Sequence, residues 1–135
     1  MLNYKRITSI FLYLVAIHSF CVGLLLVILP AEIISIFGFN EVHKNFFQVQ
    51  GGVFHLIVCF AYIAGALNPI QNRLLINFAI FAKITAFLFL FSYYLFVQSI
   101  LSVLLSGIVD LLMGIILLFL ISKVTSFTKV KIQNL

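Results

Sequence analysis

The sequence predicts an all-α integral membrane protein, an antiparallel four-helix bundle with one short interfacial helix after the first span. Three observations predict it. Hydrophobic residues make up 64% of the 135 residues and charged residues only 8%, against roughly 25% charged in a soluble domain. A chain this short cannot hide so much apolar surface in a core of its own, so lipid must cover the rest. The apolar residues also fall into four runs, each near the roughly 20 residues that a helix needs to cross about 30 Å of hydrocarbon.

The predicted spans are residues 7–29, 46–66, 74–97 and 101–122, in a single membrane domain that ends in a tail over 123–135. Transmembrane strands are excluded, because they alternate in polarity over about ten residues. Lys5 and Arg6 resemble the start of a signal peptide. The apolar stretch behind them is longer than the usual 7–15 residues, and no small-x-small cleavage site follows. Phe20 before Cys21 also argues against a lipoprotein. The first run is read as a retained span.

The connections differ in kind. In the long one, 30–45, Pro30 can open a helix, Glu32 suits its first turn and Gly38 can end it. Ile33, Ile34 and Phe37 would then share one face, as in a helix lying in the membrane interface. Asn68-Pro69 stops the second span. Gln98, Ser99 and Ile100 barely separate the last two spans and require a tight hairpin. The tail after Ser122 has no periodicity that predicts structure.

Charge reports orientation here, not nucleic acid. Lys5 and Arg6, Arg73, and Lys123, Lys129 and Lys131 flank one side, whereas Lys44 stands with Glu32 and Glu41 on the other. The positive-inside bias places both termini and the turn at 68–73 on the cytoplasmic side, and the 30–45 segment on the periplasmic or exterior side. Cys21 and Cys59 sit inside apolar runs with no metal-type spacing and read as small buried hydrophobes.

Ionisable side chains inside spans are expensive and mark functional positions by default. Counted from the cytoplasmic ends at 1.5 Å per residue, His18, His55, Lys83 and Asp110 all lie roughly 14–18 Å deep, so they form one midplane layer. Lys83 and Asp110 are the obvious pair, read as a register-fixing ion pair, a relay or a substrate-binding charge. Gly107, Asp110 and Gly114 share a stripe on the fourth span, where small residues let helices approach closely. Gly51 and, beside His18, Gly23 are read in the same packing role. Gln48, Gly52, His55, Cys59, Tyr62 and Ala66 share a stripe on the second span. A ligand or proton pocket is therefore expected at His55, Lys83, Asp110, Gln48, Gly52 and Tyr62. Tyr62, like Tyr93 and Tyr94, lies near a span end, where an interfacial anchor is the alternative. Gln48 can equally bond a loop. His18 has Leu14, Val22 and Leu25 as helical neighbours and is read as structural.

Catalytic motifs are scarce. Asp110 is the sole acid within a span, so no paired-carboxylate site forms. Gly51-Gly52 lacks the following Lys-Ser/Thr of a phosphate loop. No metal site is read from the sequence.

The run Gln50-Gly51-Gly52-Val53-Phe54-His55, then Tyr62, Asn68-Pro69, Lys83 and Asp110 resembles the small bacterial four-span proteins grouped as DoxX-like or BphX-like. The resemblance implies a four-helix bundle in the cytoplasmic membrane, of undefined activity, with quinone or thiol redox partners in some members. This chain lacks a suitable Cys pair for a thiol role. The reading that follows is a non-enzymatic accessory or binding subunit for a small hydrophobic molecule, quinone or lipid-like. Its partners would be the lipid bilayer, the hydrophobic molecule and a membrane partner subunit or second copy. A cofactor is not required; a quinone or a bis-His haem between His18 and His55 is the cofactor left open. A small proton-coupled multidrug exporter is the alternative, of similar size, but its essential acid lies in the first span, where this chain has His18.

Overall fold

The computed structural model describes residues 3–38 and 46–133, with side chains as far as Val124 except that of Ala31. Among these the chain is all-helical: α1 (Tyr4–Ile28), α2 (Ala31–Ile36), α3 (Phe46–Leu67), α4 (Arg73–Phe96) and α5 (Leu101–Gln133). Four segments, α1, α3, α4 and Leu101–Val124 of α5, are long and apolar enough to cross a membrane. Their outer faces are apolar as well. Ile17, Phe60, Leu74, Phe81, Phe89, Leu112 and Phe119 are each more than half exposed.

Local chemistry sets the helix ends. Asn3 caps α1, its Oδ1 accepting from the Arg6 amide at 3.2 Å, and α1 therefore starts three residues before the predicted span. Two side chains close the carbonyl end of α3. Asn72 Nδ2 donates to the Ala64 carbonyl at 2.6 Å, and Ser9 Oγ of α1 donates to that of Ala66 at 2.5 Å. One expectation fails at the other end of the chain. The tail predicted from residue 123 continues α5 to Gln133, because no Gly or Pro stands between Ser122 and Gln133 to break the hydrogen-bond ladder.

A ladder of short contacts fixes the register of α1 against α3. Its rungs are Ser9 on Ala66, Cys59 Sγ on the Ala16 carbonyl at 2.8 Å, Ser19 on His55, and Gln48 Nε2 on the Leu26 carbonyl at 2.8 Å. Between the last two lies a glycine crossing. A Cβ on Gly23 would stand 2.8 Å from the Gly52 carbonyl oxygen, and one on Gly52 would stand 2.8 Å from that of Gly23. The number rises along α1 as it falls along α3. The α4–α5 pair runs the same way, with Leu90 and Phe87 against Gly107, Lys83 against Asp110, and Ile84 and Ile80 against Gly114.

The two pairs meet over only half their length. The buried core takes Leu12, Val15 and Ala16 from α1 and Cys59, Tyr62 and Ala66 from α3. Ile76, Ala79 and Ile80 of α4 and Leu117, Ile121 and Val124 of α5 complete it. All twelve lie toward the end where α1 begins and α3 hands over to α4. At the other end the pairs diverge, and α2 bridges the gap. Ser102 Oγ donates to the Phe37 carbonyl at 2.6 Å. Gly38, at φ +96°, sets its α-carbon so close to Ile100 that a Cβ would meet Cγ2 at 3.0 Å. Of the apolar face predicted for this segment, Ile34 is buried, whereas Ile33 and Phe37 are 40% and 52% exposed. A helix of six residues is too short to bury three side chains on one neighbour. Glu41 and Lys44, used in the charge argument, lie outside the described residues.

Candidate functional site

The site begins with the α5 stripe. Gly107 and Gly114 flank Asp110 by one turn on each side, and both face α4. Their missing side chains bring the helices together at the level of Asp110, so a Lys on α4 can reach it without crossing lipid. Lys83 Nζ lies 2.5 Å from Asp110 Oδ1, and the two residues are 2% and 5% exposed. The ammonium also stands 5.8 Å from the centre of the Tyr62 ring, within the reach of a cation–π contact. Tyr62 is 3% exposed, which rules out the interfacial-anchor alternative for it. Its ring roofs the lysine from the core side.

His55 reaches this layer from α3. Its Nδ1 lies 3.1 Å from Ser19 Oγ, and the same hydroxyl lies 3.4 Å from the His55 carbonyl. Ser19 is itself buried, so the imidazole is held against α1 in one orientation. A hydroxyl that donates to the carbonyl leaves its lone pairs for an Nδ1–H, which would fix the tautomer with Nε2 as the acceptor.

Two cavities flank the ion pair. The larger, of about 310 Å³, opens between α1 and α5 under α2. Its floor and sides include His18, His55 and Asp110, its roof Ile34 and Phe37. The smaller, of about 150 Å³, lies between α3 and α4 and is lined by Ser19, His55, Tyr62, Lys83 and Asp110 among others. His55 and Asp110 border both and form the partition between them.

Of the residues proposed for a pocket, His55, Lys83, Asp110 and Tyr62 therefore converge. Gln48 and Gly52 do not line either cavity. Gln48 spends its amide on the Leu26 carbonyl, and Gly52 is consumed by its crossing with Gly23. Both belong to the α1–α3 seam. Among the packing glycines, Gly23, Gly107 and Gly114 are in place. Gly51 is not, since a Cβ there would meet nothing within 4 Å; a single step of 100° around the helix turns it away from α1.

Two features of the site escaped the sequence reading. His18, taken as structural, lines the larger cavity, and its Nδ1 is buried without a hydrogen-bond partner. Ser102, Ser106 and Asp110, at i, i+4 and i+8, run as a polar stripe down the cavity wall. The i, i+4, i+8 spacing is the signal in the sequence for this stripe, which lies beside the glycine stripe that packs on α4. The stripe spans roughly 12 Å of rise from the roof to the ion pair.

No group of three or more His, Cys, Asp or Glu side chains suited to a metal ion occurs among the described residues. Comparison with family models, with curated proteins and with solved structures gives no match.

Proposed function

We propose that this is a multi-pass protein of the bacterial cytoplasmic membrane that binds a small amphipathic molecule within the bilayer, rather than an enzyme. One observation carries the reading. An apolar chain sets aside a cavity of about 310 Å³ whose walls are mainly Val, Leu, Ile and Phe, crossed by Ser102 and Ser106, and whose base is His18, His55 and Asp110. Ligand sites are concave and mostly apolar, with a few placed polar groups that orient the occupant. A quinone or lipid-like molecule fits such a division, its head at the ion pair and its tail along Val22, Leu25 and Leu29. We also propose that the chain is DoxX-like; four of the residues that carry the resemblance, His55, Tyr62, Lys83 and Asp110, line one cavity.

The proton-coupled transporter is the weaker reading on structural grounds. Beyond the ion pair the helices close over Leu12, Ala16, Ala79 and Leu117, none more than 3% exposed, and none of these lines either cavity. A closed floor suits a binding protein or an accessory subunit to a membrane partner.

The test is mass analysis of extracts from the protein purified out of its membrane, beside a Val22→Trp variant that fills the cavity. A molecule retained by the first and lost from the second is the expected result. Identical extracts would reject the binding reading. A haem absorption band dependent on both His18 and His55 would transfer the site to redox chemistry.

A further inference from the structure

We infer that the occupant of the larger cavity is a neutral amphiphile whose ring-sized head carries a hydroxyl, bound between His18 and Ser106 above the Lys83–Asp110 pair. The inference rests on reading the cavity as a binding site, and three properties of its lining narrow the ligand.

Charge comes first. Asp110 supplies the one fixed charge among the lining residues, and Lys83 already neutralises it at 2.5 Å. A charged head would enter this low-dielectric base without a free counter-ion, which is costly. The head must be neutral.

Hydrogen bonding comes second. Ser102 is committed to the Phe37 carbonyl and the Nδ1 of His55 to Ser19, which leaves His55 only its Nε2 as an acceptor at the base. His18 and Ser106 border the same cavity; the His18 Nδ1 is buried with no hydrogen-bond partner, and the Ser106 side chain is exposed beside it. A hydroxyl both donates and accepts. It can therefore satisfy the imidazole in either tautomer and the serine hydroxyl together. An ether or a hydrocarbon cannot do so.

Size comes third. The cavity's 310 Å³ is roughly twice the volume of a buried cavity known to hold benzene, enough for two fused rings or one substituted ring. Any longer chain must leave laterally, past Leu25 and Leu29 toward lipid.

The full chain in lipid nanodiscs is titrated by equilibrium dialysis with 2-naphthol, 2-methoxynaphthalene and 2-naphthoate. Background partition into lipid is taken from the Val22→Trp variant, or from Leu25→Trp at the half-exposed cavity edge if the first does not fold. The inference expects 2-naphthol to bind about fivefold or more tightly than its methyl ether, the worth of one good hydrogen bond. The His18→Phe, Ser106→Ala double variant should bind the two equally. Equal binding of naphthol and ether by the native chain would overturn the hydroxyl assignment. Naphthoate binding as tightly as naphthol would overturn neutrality, and a double variant that keeps the full preference would displace His18 and Ser106. Failure of the cavity reading looks different: the filled variants would then bind all three probes as the native chain does.

Discussion

Asp110 is worth more to this protein as a partner than as a charge. Lys83 is 2% exposed and bonds Asp110 Oδ1, so removing the carboxylate leaves a buried ammonium without its counter-ion. Breaking a buried pair from one side typically costs about 3–5 kcal/mol, whereas replacing both partners with apolar groups is often nearly neutral. Asp110→Asn should therefore destabilise the purified protein more than the double change Lys83→Met, Asp110→Leu, measured by thermal unfolding in detergent. If the double variant loses as much as the two single variants summed, the charges are not coupled. This pair was legible in the sequence because charge and depth both single out the same two residues. The partner of His55 was not. Periodicity shows that Ser19 and His55 each face inward, but it does not show that they meet, and the same gap hid His18 in the cavity wall.

At the scale of an element, the α1–α3 seam tests how tightly two helices can cross. If the outer faces lie in lipid, burying Leu or Ile between helices gains little over leaving it in the hydrocarbon, and association depends on close packing and hydrogen bonds. The Gly23–Gly52 crossing is the closest point of that packing. Gly52→Ala would bring Cβ to 2.8 Å from a backbone carbonyl oxygen, and no side-chain rotation relieves a clash with backbone. Overpacking of this kind costs roughly 1–3 kcal/mol. Gly51→Ala meets open space and removes a helix-weakening glycine, a gain of about 0.5–1 kcal/mol. The two substitutions should thus shift the unfolding temperature in opposite directions, Gly52→Ala down and Gly51→Ala up. Equal shifts would mean that the helices do not cross at Gly52. From sequence the two glycines are neighbours with the same composition around them; the packing role is read for Gly51 and the pocket role for Gly52, whereas the crossing falls at Gly52. The continuation of α5 past Ser122 was hidden for a different reason. Hydropathy marks where an apolar run ends, not where a backbone ladder ends, and only a breaker residue would have marked the latter.

For the whole molecule, four hydropathy peaks predict four long helices but do not distinguish the two ends of the bundle. Apolar content is as high at the α2 end as at the other, yet one end is packed and the other holds the cavity. The difference lies in which residues face inward: Ala16, Ala66 and Ala79 at the packed end let helices close, while Leu25, Leu29 and Leu90 at the open end hold them apart around space. Charge orients this asymmetry. Lys5, Arg6 and Arg73 flank the packed end, and Glu32, exposed on α2, stands at the mouth. The positive-inside bias predicts the packed end on the cytoplasmic side and the mouth on the outer side. A reporter fused after Leu135 that is active only in the cytoplasm should be active, and its periplasmic counterpart silent. A cysteine placed at Glu32, which is exposed, in a Cys21→Ala background should react with an impermeant thiol reagent in intact cells. Labelling only after the membrane is opened would reverse the topology, and with it the side from which the ligand arrives.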